Sequence, residues 1–102
     1  MSRKEQIQEM LAEDPQDTFL RYALAMEFKS EGSSDASLEI FSELMKDDPP
    51  YVPAFFMAGQ ELAGLSRIDE AQKTLEEGIA HAKTQGELHA AGEMTEFLNS
   101  LA

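Results

Sequence analysis

Apolar residues recur at helical spacing along the whole chain, and no stretch alternates with the period of two that marks a strand. Turn-forming residues interrupt the pattern at Asp14-Pro15, Gly32-Ser33-Ser34, Asp48-Pro49-Pro50, Ser66 and Gln85-Gly86. The spacing therefore predicts six helices, over 3–13, 17–31, 35–47, 52–65, 68–83 and 87–101. The connections are short, which sets neighbouring helices antiparallel. Asp17 and Asp35 stand where a side-chain oxygen can accept the free amides of a first turn, so both are expected N-caps. Pro53 falls in a first turn, where its missing N–H costs nothing, and Pro15, Pro49 and Pro50 fall just past helix ends.

A repeat underlies this order. The shift that lays Asp14-Pro15 on Asp48-Pro49 also lays Glu27 on Glu61 and Asp35 on Asp69. Ile7, Phe41 and Leu75 fall in register under the same shift, as do Leu24 with Ala58 and Phe28 with Leu62. Two helices in each period of roughly 34 residues is the pattern of stacked helical hairpins, in which one hairpin cannot bury its own apolar face. Small residues at Ala25, Ser37, Gly59 and Ala71 permit close helix approach. Phe28, Phe41, Leu62 and Leu75 are the expected fillers of the space between.

With Phe55, Ala58-Gly59, Leu62, Ala71 and Leu75 in one unit, and Arg21, Leu24-Ala25, Phe28, Ser37, Phe41 and the closing Pro49 in the other, the chain resembles the tetratricopeptide repeat family. The resemblance implies an all-α fold: antiparallel hairpins stacked as a short right-handed α-solenoid of about six helices. It implies one domain over 1–102, with an N-terminal helix 3–13 that is half of an earlier unit, repeat one at about 18–51, repeat two at about 52–85 and a capping helix at about 87–101. Three departures stand out. Arg21 replaces the large aromatic of the motif, and Lys83 stands where a third closing Pro would fall. Beyond Lys83 the register slips by one position, so that Leu88, Ala91 and Gly92 align with Phe55, Ala58 and Gly59. The face Leu88, Ala91, Thr95, Leu98 is the one expected to cover the end of the stack.

The first helices of the two units are apolar nearly all round, so each has a second greasy stripe besides its packing stripe. That stripe runs Phe19, Tyr22, Met26, Lys29 on one helix and Pro53, Phe56, Gln60, Ala63 on the other. The resemblance implies that it lines a concave groove that receives a partner segment. The competing placement buries Phe19 and Tyr22 under the N-terminal helix and Phe56 under the last one. Lys and Asn on this face grip acidic C-terminal tails in one subset of the family, but Tyr22, Met26, Phe56 and Gln60 take the corresponding places here.

Composition narrows the function classes. Among 102 residues, eight Lys and Arg face twenty Asp and Glu, a formal charge of −12. Such a surface repels phosphate backbones and anionic lipid, so neither nucleic acid nor membrane is an expected partner. The carboxylates are spread over every segment, a distribution that favours solubility in high salt over steering of a basic partner. Cys is absent, which removes disulfides, thiolate metal sites and Cys nucleophiles. No apolar run approaches the roughly 18 residues of a membrane span, and the start, Met1-Ser2-Arg3-Lys4, leads into polar residues, so a cytoplasmic protein is expected.

Candidate chemistry is sparse. His89 and Glu93 are four apart, as a metal pair can be, but a metal site needs three or four ligands. No phosphate loop, zinc-protease motif or nucleophile elbow occurs, and Asp47-Asp48 lacks the alternating acids and Gly of a calcium loop. No catalytic residue, metal site or cofactor is therefore assigned. The expected function is a non-catalytic protein–protein interaction module, an adaptor or scaffold holding an apolar or amphipathic segment in the groove. The alternative is a homo-oligomerisation domain using the same patch.

Overall fold

A computed structural model describes residues 1–101 as six helices: α1 (Arg3–Glu13), α2 (Thr18–Ser30), α3 (Ser34–Met45), α4 (Val52–Gly64), α5 (Ile68–Thr84) and α6 (Leu88–Ser100). Among the described residues there is no strand. Each helix packs on the one before and the one after, and α4 also touches α6.

Local chemistry sets the ends. Asp17 caps α2, its side chain accepting the Leu20 amide at 2.8 Å. Asp35 is not a cap: it lies inside the first turn of α3, where its charge faces the positive end of the helix dipole, and Ser33 takes the cap position. The reason is the preceding turn. Gly32 adopts a left-handed φ of 82°, and the Ser33 amide then donates to the Phe28 carbonyl at 2.9 Å, which closes α2 and restarts a helix at once. The same closure recurs with Arg67 donating to Leu62 at 2.9 Å and Glu87 to Ala82 at 2.8 Å. Gly86 occupies the left-handed position in the last of these, but in the middle one it is Ser66, at φ 62°. At α1 a reciprocal cap joins Ser2 and Glu5. The hydrogen bond from the Ser2 amide, helped by the Ser2 hydroxyl, holds the Glu5 carboxyl below its ordinary pKa.

The core forms two connected clusters. One joins Ala25, Phe41, Leu44, Ala54 and Ala58, between α2, α3 and α4. The other joins Val52, Phe55, Leu75, Ala82, Ala91 and Met94, between α4, α5 and α6. Small and large residues pair as the repeat predicts: a Cβ added to Gly59 would stand 2.7 Å from a Leu75 methyl. Ser37 is fully buried and satisfied, its hydroxyl donating to the Ser34 carbonyl at 3.0 Å. Phe28 differs from the expected inter-hairpin fillers. It is only half-buried, and α1 covers it with the Lys4 ammonium 5.2 Å from the ring centroid. Lys4 also reaches Glu31 at 3.1 Å, a pairing that holds the Glu31 carboxyl below its usual range.

The anomalous Arg21 has a structural explanation. Both its terminal nitrogens donate to Asp47, at 2.7 and 3.2 Å, and its side chain is 14% exposed. One repeat later the same two positions are Phe55 and His81, whose rings lie 5.3 Å apart. A bidentate ion pair in the first repeat thus occupies the place of an aromatic contact in the second. Another equivalent position also differs in size between the repeats. Leu44 is fully buried in the first cluster, whereas its equivalent in the second repeat is Gly78, which lies against Phe55.

Candidate protein-binding groove

Helices α2, α4 and α6 meet on one side of the stack, and there they enclose an apolar cavity of about 130 Å³. Tyr22 comes from α2, Val52, Pro53, Phe56 and Met57 from α4, and Ala90, Glu93 and Met94 from α6. Neither α3 nor α5 has a residue in it, so the first helices of successive units form the inner side.

Each wall is positioned by packing behind it. The Tyr22 ring meets Phe41 at 6.1 Å and Tyr51 edge-on at 5.3 Å. Burial, and secondarily the neighbouring Tyr51, push the Tyr22 phenol above its ordinary pKa. Phe56 is half-buried and meets Phe97 of α6 edge-on at 6.0 Å. Met94 is fully buried against Gly78 and Phe55.

The sequence-derived stripe is therefore only partly assembled into one site. Tyr22, Pro53 and Phe56 converge on the cavity. Phe19, one turn earlier on the Tyr22 side of α2, is 70% exposed and covered by nothing from α1. Met26 is half-buried against the first core cluster. Lys29, Gln60 and Ala63 are half-buried and do not line the cavity, and Lys29 makes no ion pair among the described residues. The N-terminal helix covers Phe28 rather than Phe19 or Tyr22, whereas the last helix does cover Phe56.

Three lining residues, Ala90, Glu93 and Met94, were not legible in the sequence, because its pattern points to the wrong face of α6. Ala91 and Leu98 pack inward as expected, but Leu88 is 70% exposed and Thr95 is exposed, its hydroxyl donating to the Ala91 carbonyl. The inner face runs Ala91, Met94, Leu98, Leu101 instead. In α4 the position equivalent to Leu88 is covered by α5. Among the described residues no helix lies on that side of α6, so Leu88 and Gly92 stay open. Val52 and Met57, missed as well, sit with Phe56 in an all-apolar run that gave no contrast between faces.

The cavity shares Val52, Pro53 and Ala90 with a wider cleft of about 690 Å³ beneath the interhelical turns. Arg21, Asp47, Asp48, Gln85 and Glu87 are among its walls, and Gln85 bridges it with a bond to the Pro50 carbonyl at 2.9 Å. Arg21 is neutralised by Asp47, which leaves Asp48 and Glu87 without an ion-pair partner among the described residues. His89 and Glu93 approach to 3.5 Å, with the imidazole 92% exposed. Among the described residues no three His, Cys, Asp or Glu side chains converge as a metal site would require, and no helix is long and apolar enough to cross a membrane.

No family model matches the chain. A TPR repeat-containing protein of Pseudomonas aeruginosa is 28% identical over 97 residues, 95% of this chain and 92% of that protein. The solution structure of a protein from Bordetella parapertussis superposes with a TM-score of 0.85 at 27% identity, covering 99% of this chain and 88% of that one. A tetratricopeptide repeat domain protein from Salinibacter ruber is 32% identical, with a TM-score of 0.80 over 85% of this chain and 88% of that one. None of these names denotes an enzyme. Helical hairpins in regular repeat, small residues seated under Phe41 and Leu75, and a relative with 32% identity along most of both chains lead to one assignment: the chain belongs to the tetratricopeptide repeat family.

Proposed function

We propose that the chain is a non-catalytic adaptor whose inner face holds an apolar or amphipathic segment of another protein. Membership of a family of interaction modules supports a protein-binding role in general. The observation that carries the particular reading is the apolar cavity shared by α2, α4 and α6, with exposed Phe19 one turn from its Tyr22 wall. Aromatic and Met side chains of this kind supply large, adaptable contact area. A lone exposed Leu or Phe is ordinary on a protein surface, but an aromatic continuous with an apolar concavity is a feature of binding sites.

Absence of Cys makes a clean test possible. Phe19→Cys and, on the outer helix α5, Glu76→Cys would each be purified, labelled with a thiol-reactive photo-crosslinker and irradiated in an extract of the cells that make the chain. Adducts with a distinct protein at position 19 and not at 76 are the expected result. Equal adduct patterns at the two positions would sink the reading. Adducts of twice the chain's own mass at position 19 alone would replace it with homo-oligomerisation.

A further inference from the structure

The chemistry of the partner segment can be read from the groove, on the premise that the inner face is the binding face. We infer that the segment inserts one side chain of leucine to phenylalanine size into the cavity between α2, α4 and α6, and flanks it with basic residues. Size is the first argument. A cavity of about 150 Å³ accepts a benzene-sized group, so the 130 Å³ here suits one branched aliphatic chain or one phenyl ring, and not two. Its walls are Tyr22, Phe56, Met57 and Met94, with Glu93 alone supplying a charge. An unpaired polar anchor would lose its hydration there without recovering a partner.

Charge is the second argument, and it is independent of the first. The segment leaves the cavity in two directions. One passes Glu93, which among the described residues faces no Lys or Arg and has the exposed His89 imidazole at 3.5 Å. The other passes Val52 and Ala90 into the cleft walled by Asp48 and Glu87. The cation of that cleft, Arg21, is fully engaged with Asp47, so it offers nothing to an acidic ligand. Carboxylates held by no Lys or Arg thus lie on both sides of an apolar socket, on a chain of formal charge −12. Lys or Arg on either side of the anchor meets them, whereas Asp or Glu is repelled at both exits.

Three capped seven-residue probes test this: Ser-Lys-Gly-Leu-Gly-Lys-Ser, the same peptide with Glu for both Lys, and the same with Ser for Leu. Methyl signals of Ala90, Met57 and Met94 are followed by nuclear magnetic resonance at low salt. The Leu–Lys probe is expected to shift those three methyls. The Leu–Glu probe should bind about fivefold to tenfold more weakly, in line with the loss of two exposed charge contacts. The Ser–Lys probe should leave the three methyls unmoved. Ala90→Leu, which fills the socket, should abolish the methyl response, and Glu93→Gln, on the exposed rim, should halve the preference for Lys over Glu. Equal binding of the Lys and Glu probes, shifts centred elsewhere, or no shift at millimolar probe would each overturn the inference. Crosslinking at position 19 reads the inner face without any peptide, so a failure of the partner chemistry is told apart from a failure of the binding face.

Discussion

Replacing Gly78 with alanine adds one methyl at the junction of three helices. Its Cβ would lie 2.4 Å from Phe55 Cβ, 2.9 Å from Phe55 Cγ and 2.8 Å from Met94 Sδ. Carbon atoms in contact sit about 3.5–4.0 Å apart, so the α4–α5 spacing must open by roughly 1 Å or more. The Met94 thioether can swing aside, but Phe55 Cβ is fixed to the α4 backbone and cannot. Overpacking of this kind costs about 1–3 kcal/mol. The better helix propensity of alanine offsets about 1 kcal/mol of it. Net destabilisation of up to about 2 kcal/mol relative to wild type follows, which for a domain of this size lowers Tm by as much as roughly 15 °C. Gly92→Ala is the control, because an added Cβ there meets nothing within 4 Å and only the propensity gain remains. Urea titrations and thermal melts of both variants, followed by circular dichroism, give the comparison. Gly78→Ala as stable as Gly92→Ala, with an undiminished transition slope, would refute the claim that this glycine sets the α4–α5 approach.

Three further outcomes are expected. Ser66→Gly should stabilise the chain by about 0.5–1 kcal/mol in chemical denaturation, because the left-handed φ of 62° costs serine more than the added freedom of glycine in the unfolded chain. Asp47→Ala should cost about 1–3 kcal/mol in the same assay, since it leaves the largely covered Arg21 guanidinium without a counter-ion, and Arg21→Met in that background should recover part of the loss. In alkaline titration Tyr22 should ionise later than an ordinary phenol, and Tyr22→Phe should remove the late phase from the phenolate absorbance. The sign follows from the raised pKa of the folded state: the stability linked to the neutral phenol is fully present below its ordinary pKa near 10 and is lost as pH rises through the raised value.

Helix number, approximate helix limits and the small-against-large pairs were legible in the sequence because they rest on local and periodic chemistry. Turn residues mark helix ends wherever they occur, and the repeat gives Phe41 and Leu75 the same neighbours in successive units. The Asp17 cap belongs to this class, since it needs only its own first turn. Asp35 does not: the hydrogen bond closing the preceding turn moved the cap to Ser33. Two other features were also beyond reach. Arg21 contradicts the motif when read alone and makes sense only beside Asp47, 26 residues away, in the place where Phe55 meets His81. The lining of the groove by Ala90, Glu93 and Met94 depended on which stripe of α6 has a neighbour. Periodicity defines the stripes of a helix, but burial selects among them, and at the end of a stack burial comes from one side alone. The register shared with Phe55 and Gly59 pointed to Leu88 and Gly92, yet among the described residues no helix covers them, and the tertiary structure turned Met94 inward instead.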